Sequence, residues 1–266
     1  MSFNFTYKEY AQLLSLMKQT ANIYTFESFA FGVKKENGYI LRHDVDLDLD
    51  KAFKMFIIEK NIGIVSTFFL LTTSNLYNIN SKKNRMIIGE MIKNGFEIGL
   101  HFDPTIYNEF DERKLYKYVR EEAKIIEQIS GKKVNSISLH NPSLHNKYPI
   151  FNGYNNAYHV DFFSDEFYIS DSCKSFRNKD IFKFIEYGKD NIIQVVFHPI
   201  HFSEKQETYS ESFLEIIKNK VIEIDDMMKP NKTYNIEEPL LSKLVNTMHN
   251  LEILWKKTIL NLRAMN

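Results

Sequence analysis

The sequence predicts an α/β fold, with βαβ units built around a parallel sheet or barrel. Two observations carry this. Short β-rich apolar runs alternate with amphipathic helical patterns along the 266 residues, as parallel strands linked by crossover helices require. Five of those runs also end in a carboxylate or an imidazole, the arrangement expected where strand ends converge on one face.

The elements follow in order. "YILRHDV" reads as a strand, and residues 49–60 as a helix with Ala52, Phe53, Phe56 and Ile57 on one face. A buried strand "VSTFFLL", a helix near 84–94 ending at "NG", and a strand "FEIGL" come next. A charged helix near 111–130 stops at Gly131, a residue type that often ends helices. "NSISL", "EFYIS" and "IIQVVF" are strand-like, and beyond about residue 204 the pattern turns helical. Leu241, Leu244, Met248, Leu251, Trp255, Ile259 and Leu262 recur every three or four residues behind Pro239. That stripe needs a partner surface: the body of the same chain, or a dimer seam through the C-terminal helix.

Composition excludes several classes. Lys plus Arg and Asp plus Glu are 34 each, so no global field draws the chain to nucleic acid or an anionic membrane. A single cysteine, Cys173, rules out an intrachain disulfide framework and lacks the Cys/His pattern of a thiol nucleophile. "MSFNFTYKEYAQLLSLMKQT" has no signal-peptide pattern. The most apolar stretch, "IGIVSTFFLL", is well short of the roughly 20 residues that span a bilayer. The expectation is a soluble, cytoplasmic, single catalytic domain over residues 1–266. No phosphate loop or nucleotide fingerprint is present.

The strand ends concentrate the chemistry. "YILRHDVD" finishes in Asp44 and Asp46, "FEIGLHFD" in His101 and Asp103, "NSISLHNP" in His140, "EFYISDSC" in Asp171, and "IIQVVFHP" in His198. Asp44, Asp46 and Asp48 have the first spacings of a calcium loop, but Leu49 and Met55 stand where it needs glycine and glutamate. The labour is better divided. Asp44 and Asp46 share one strand face, and Asp48 or Asp50 caps the following helix. Two carboxylates that close repel unless a cation lies beside them, and a divalent metal resolves the conflict. His43, on the opposite parity, is read as structural, and His201 as a solvated loop residue. The Asn- and Tyr-rich segment 140–159 suits either a carbohydrate surface or an ordinary long loop.

"ILRHDVD", "STFFL", "GFEIGLHFD", "SLHNPS", "YISDS" and "VVFHPIHF", in this order, resemble the polysaccharide deacetylase (NodB-homology) family of carbohydrate esterases. The likeness is strongest to its "RHDVD" branch, associated with surface-glycan biosynthesis. It implies a distorted (β/α) barrel of about seven strands over about 35–205, with a helical C-terminal extension over about 206–266. It also implies metal-dependent removal of an acetyl group from an acetylated sugar or glycan precursor; the donor types suit Zn²⁺, with other divalent ions open. By the same resemblance Asp44 matches the general base, Asp46 and His101 metal ligands, and His198 the general acid.

One departure stands out. The family's second motif has two histidines four residues apart, but position 105 is Thr, and Pro104 disfavours a helical Asp103. The third ligand must come from elsewhere. His140 is favoured, with Asp103 or water as alternatives, although the family pattern has at position 140 an arginine that pairs with the base. Asp171 either orients His198 or forms a local turn. Three classes stay open: a sugar deacetylase, a related amidohydrolase on a cyclic or small amide, and a non-catalytic deacetylase-like scaffold.

Overall fold

The computed structural model of the chain describes residues 3–31, 36–109 and 111–236, with positions 244, 246, 247 and 250 beyond them. It forms two compact units, Met1–Tyr209 and Ser210–Asn266. The first opens with α1 (Tyr7–Thr20), β1 (Asn22–Tyr24) and α2 (Phe26–Phe31), ahead of the predicted βαβ series. The series runs β2 (Gly38–Val45), α3 (Leu49–Ile62), β3 (Thr67–Leu70), α4 (Lys82–Lys93), β4 (Glu97–Phe102), α5 (Glu112–Ser130) and β5 (Ser136–Leu139). It continues with the one-turn α6 (Pro142–His145), then β6 (Asn155–Asn156), β7 (Tyr168–Ser170), the one-turn α7 (Ile181–Phe184) and β8 (Ile192–Phe197). The second unit is helical where described, beginning in α8 (Tyr209–Met228). Apart from Leu244, the Leu241–Leu262 stripe, and with it the dimer seam, lies outside the described residues. Among those residues no helix is long and apolar enough to cross a membrane.

The strands form one parallel sheet in the order β6-β5-β4-β3-β2-β8-β7, curled into a distorted half-barrel. β1 pairs with the first residues of β2 and β3 with the last, so two short strands share one side of the central strand. Residues of alternating parity face opposite ways on each strand. Outward residues Phe68, Leu70, Ile98, Leu100, Phe102, Ile137 and Leu139 pack under α3, α4 and α5. Tyr39, Leu41, Ile193, Val195 and Phe197 do the same under α1 and α7. At about 1.5–3 kcal/mol per buried large apolar side chain, these two layers supply the main drive to fold.

The inward parity carries a different chemistry, arranged in layers. At the N-terminal end, Thr67 and Ser136 donate to the buried Glu97 carboxylate. The first turn of α2 plugs this layer: Phe26 N–H donates to Thr67 Oγ1 (3.0 Å) and Glu27 N–H to Glu97 Oε2 (2.9 Å), satisfying donors a helix start leaves open. Above it Phe69 fills the curl against Phe26 and Ile40. Gly99 makes that possible, since a Cβ there would lie 2.5 Å from the Phe69 ring and 2.9 Å from the Ser136 carbonyl. The topmost layer, at the C-terminal strand ends, holds the candidate site.

Helix ends match their sequence signals. Asp48 caps α3, accepting from Asp50 and Lys51 N–H groups, which decides between the two candidate caps. Gly131 ends α5 at φ +67°, a conformation that favours glycine.

Candidate active site

Asp44, Asp46, His101, His140 and His198 line one cleft of about 230 Å³ at the C-terminal strand edge. Each sits on, or just beyond, a strand at the inward parity: Asp44 and Asp46 after Ile40 and Arg42, His101 after Gly99, His140 after Ser138, His198 after Val196. Tyr77 pins the end of β2 to that of β3, donating to the Val45 carbonyl (2.6 Å) and accepting from Leu71 N–H (2.8 Å).

Asp46, His101 and His140 form a tight trio. Asp46 Oδ1 lies 3.0 Å from His101 Nε2 and 3.2 Å from His140 Nδ1, and the two ring nitrogens are 3.2 Å apart. Ligand atoms about 2.0–2.1 Å from a tetrahedral zinc stand about 3.3–3.4 Å from one another, so the trio fits such an ion closely. The donor chemistry fits too. Two imidazole nitrogens and one carboxylate oxygen suit zinc and other borderline divalent ions. Burial works against the Asp46 charge, but hydrogen bonds from His101 and His140 outweigh it and hold the carboxyl well below the usual range. Burial likewise opposes charge on His140, yet Asp46 pushes its imidazole up. Asn141 lies 2.8 Å from His140 Nε2 on the far side of the ring. That contact is made by the amide nitrogen, which donates; turned over, an exchangeable choice for an amide, the side chain would accept the Nε2 proton and leave Nδ1 bare.

The alternative ligand, Asp103, is engaged elsewhere. Its backbone is extended (φ −105°, ψ 99°), as the following proline demands. Its Oδ1 accepts from Thr105 N–H (2.9 Å) and Thr105 Oγ1 (2.6 Å).

Asp44 is 3 % exposed. Its Oδ2 accepts from Arg42 Nη2 (3.2 Å) and Ser138 Oγ (3.4 Å), whereas Oδ1 is buried without a partner among the described residues. Arg42 is fully buried, its guanidinium over the rings of Phe69 and Tyr158 (5.8 and 5.0 Å), with Nη2 also donating to Tyr158 Oη (3.1 Å). The arginine partner of Asp44 thus comes from its own strand. Sequence reasoning passed over Arg42, although the signal was there: an arginine two residues before Asp44 shares its face. Tyr158, on the long segment after β5, had no comparable signal.

Opposite stands a carboxylate with two imidazoles. Asp171 is fully buried; its Oδ1 lies 2.6 Å from His198 Nδ1 and its Oδ2 3.0 Å from His201 Nδ1. The His198 N–H also donates to it at 3.1 Å. Burial would depress His198, but the Asp171 charge and hydrogen bond raise it to about 9. Asp171 itself, resisted by burial, is drawn down to about 2 by His201 and His198. The reading of His201 as a solvated loop residue is corrected: it is 3 % exposed, because the short turn Pro199–His201 folds it back onto Asp171. His43 faces away from the cleft, where Nε2 meets Glu59 Oε1 (2.7 Å) and Tyr10 Oη (3.2 Å).

No family model and no curated protein matches the chain. Solved structures similar to it include the chitin deacetylase from Colletotrichum lindemuthianum, at 17% identity and a TM-score of 0.43 over 68% of this chain and 81% of that one. A Streptococcus mutans CE4 esterase is 16% identical, with a TM-score of 0.47 over 76% and 89%. A CE4 family pseudoenzyme from Bacillus anthracis is 14% identical, with a TM-score of 0.40 over 68% and 60%. At these identities and scores, what the cleft does is decided by its own side chains.

Proposed function

We propose that this chain is a metal-dependent hydrolase that removes an acetyl group from an N-acetylated or O-acetylated sugar. Its setting is intracellular glycan biosynthesis, the one its sequence resemblance implies. The observation that carries the reading is the convergence of Asp46 Oδ1, His101 Nε2 and His140 Nδ1 to within 3.0–3.2 Å of one another, in a cleft that also holds Asp44 and His198.

Asp46, His101 and His140 would hold the ion, zinc by donor type, which when bound supplies Lewis-acid polarisation and lowers the pKa of water. Asp44 has one oxygen anchored by Arg42 and Ser138 and the other without a partner among the described residues. That division suits a general base, because the anchored oxygen fixes the carboxylate while the other takes the proton of the attacking water. His198 commits Nδ1 to Asp171, which leaves Nε2 for the cleft. With its pKa raised to about 9 it is an imidazolium at neutral pH, able to protonate a departing amine. Asp171 and His201 keep that ring oriented.

The test is acetate release from acetylated amino sugars by zinc-loaded protein. Chelation and Asp44→Asn should each remove it, the latter by the roughly 10²- to 10⁴-fold that a general base contributes. Full turnover in the Asp44→Asn protein would refute the mechanism.

A further inference from the structure

We infer that Tyr158 is a catalytic residue of this cleft, donating a hydrogen bond from its phenol to the acyl oxygen as that oxygen gains negative charge. This rests on the hydrolase reading above and extends it to a residue outside the strand ends.

The argument begins at Arg42 Nη2. A guanidinium terminal nitrogen carries two hydrogens; here one goes to Asp44 Oδ2 (3.2 Å) and the other to Tyr158 Oη (3.1 Å). The phenol oxygen is therefore an acceptor toward Arg42, and its own proton points elsewhere. No acceptor for that proton is present among the described residues. Tyr158 lines the same cleft as Asp44, Asp46, His101, His140 and His198, so the open direction is the one a substrate would fill. Position follows from the shared nitrogen. The phenol oxygen lies within two hydrogen bonds of Asp44 Oδ2, the anchored oxygen of the proposed base, in the cleft that the base also lines.

Burial and charge set the donor's character. Burial pushes the phenol up, only partly offset by the lowering influence of Arg42, so Tyr158 keeps its proton at neutral pH. The buried guanidinium draws electron density from the phenol oxygen and strengthens its O–H as a donor. The ring is held between Tyr148 and Phe163 (centroids 5.4 and 5.5 Å) and against Arg42. A donor fixed before the reaction begins costs no reorganisation when charge develops, and this is what makes oxyanion donors effective.

A role confined to propping Arg42 makes a different prediction. Tyr158→Phe keeps the ring and its stacking and removes only the hydroxyl. Calorimetry on zinc-loaded protein would compare methylphosphonate, a tetrahedral anion carrying the acetyl methyl, with planar acetate. The expected result is methylphosphonate binding weakened about 10-fold or more, with acetate binding nearly unchanged. Equal retention of both anions, equal loss of both, or no methylphosphonate binding by the unaltered protein would overturn the inference. Should the phenylalanine variant not fold, 3,5-difluorotyrosine placed at 158 alters only phenol acidity. It should tighten methylphosphonate, and unchanged or weaker binding counts against the donor. Protein that takes up no zinc would instead defeat the hydrolase reading, and this inference with it.

Discussion

His101 Nε2 and His140 Nδ1 face each other at 3.2 Å, each also within 3.2 Å of Asp46 Oδ1. Only one proton fits between two such nitrogens, so this arrangement concentrates lone pairs that a cation would satisfy. Asp46→Asn and His140→Ala should each weaken zinc binding by more than about 100-fold, above the 10- to 100-fold typical of outer partners. Asp103→Asn, which alters only the cap of a turn, should leave it unchanged. Competition against a chromogenic chelator reads all three, and equal loss in the Asp103 variant would reverse the ligand assignment.

Arg42 and Asp44 form a buried pair in which each neutralises the other. Arg42→Met strands the carboxylate and should cost about 3–5 kcal/mol in urea unfolding, the range for breaking a buried ion pair on one side. Adding Asp44→Asn to that variant should recover part of the loss. Strictly additive costs in the double-mutant cycle would mean that the two side chains do not interact energetically.

Protonation of His198 ties pH to stability in the metal-free protein. Its pKa rises from 6.5 to about 9 on folding, so its contribution is complete below about 6.5 and disappears as pH climbs through about 9. Asp171 falls from 3.8 to about 2, so its contribution is present above about 4 and is lost as pH drops through about 2. Histidine NMR should place the His198 midpoint near 9, and Asp171→Asn should lower it markedly, because burial is then opposed only by the weaker influence of Asp46 and Asp44. An unmoved midpoint would remove Asp171 as the cause.

Gly99 sets how closely β3 and β4 approach inside the curl. Gly99→Ala forces a Cβ into the Phe69 ring and the Ser136 carbonyl and should cost about 1–3 kcal/mol, the usual penalty of overpacking. Adding Phe69→Leu should restore part of it. Thermal unfolding of the three proteins measures both effects.

Much of the site was readable before any tertiary contact, for a reason particular to parallel strands. Asp44, Asp46, His101, His140 and His198 all follow apolar β-rich runs, and such runs laid parallel must end on one edge. Other parts had weaker signals. β1 and α2 lie in the N-terminal stretch without a clear period, and β6 is two residues long. Tyr158 is brought to Arg42 by a long connection whose path no local pattern specifies. His201 looked like any loop histidine until the turn after β8 folded it onto Asp171.

The sequence by itself determined which side chains stand at the strand ends and which way they face, because alternation along a strand is set by backbone geometry. It determined the helix stop at Gly131 and narrowed the start of α3 to a cap at Asp48 or Asp50, again from local chemistry. Only the tertiary structure decided that His140, and not Asp103, completes the trio with Asp46 and His101, and that Arg42 serves Asp44. Those choices depend on how far apart β2, β4 and β5 end and on which partners already occupy a carboxylate. Such distances are set by the curl of the whole sheet and its packing against the helices, which no single segment encodes.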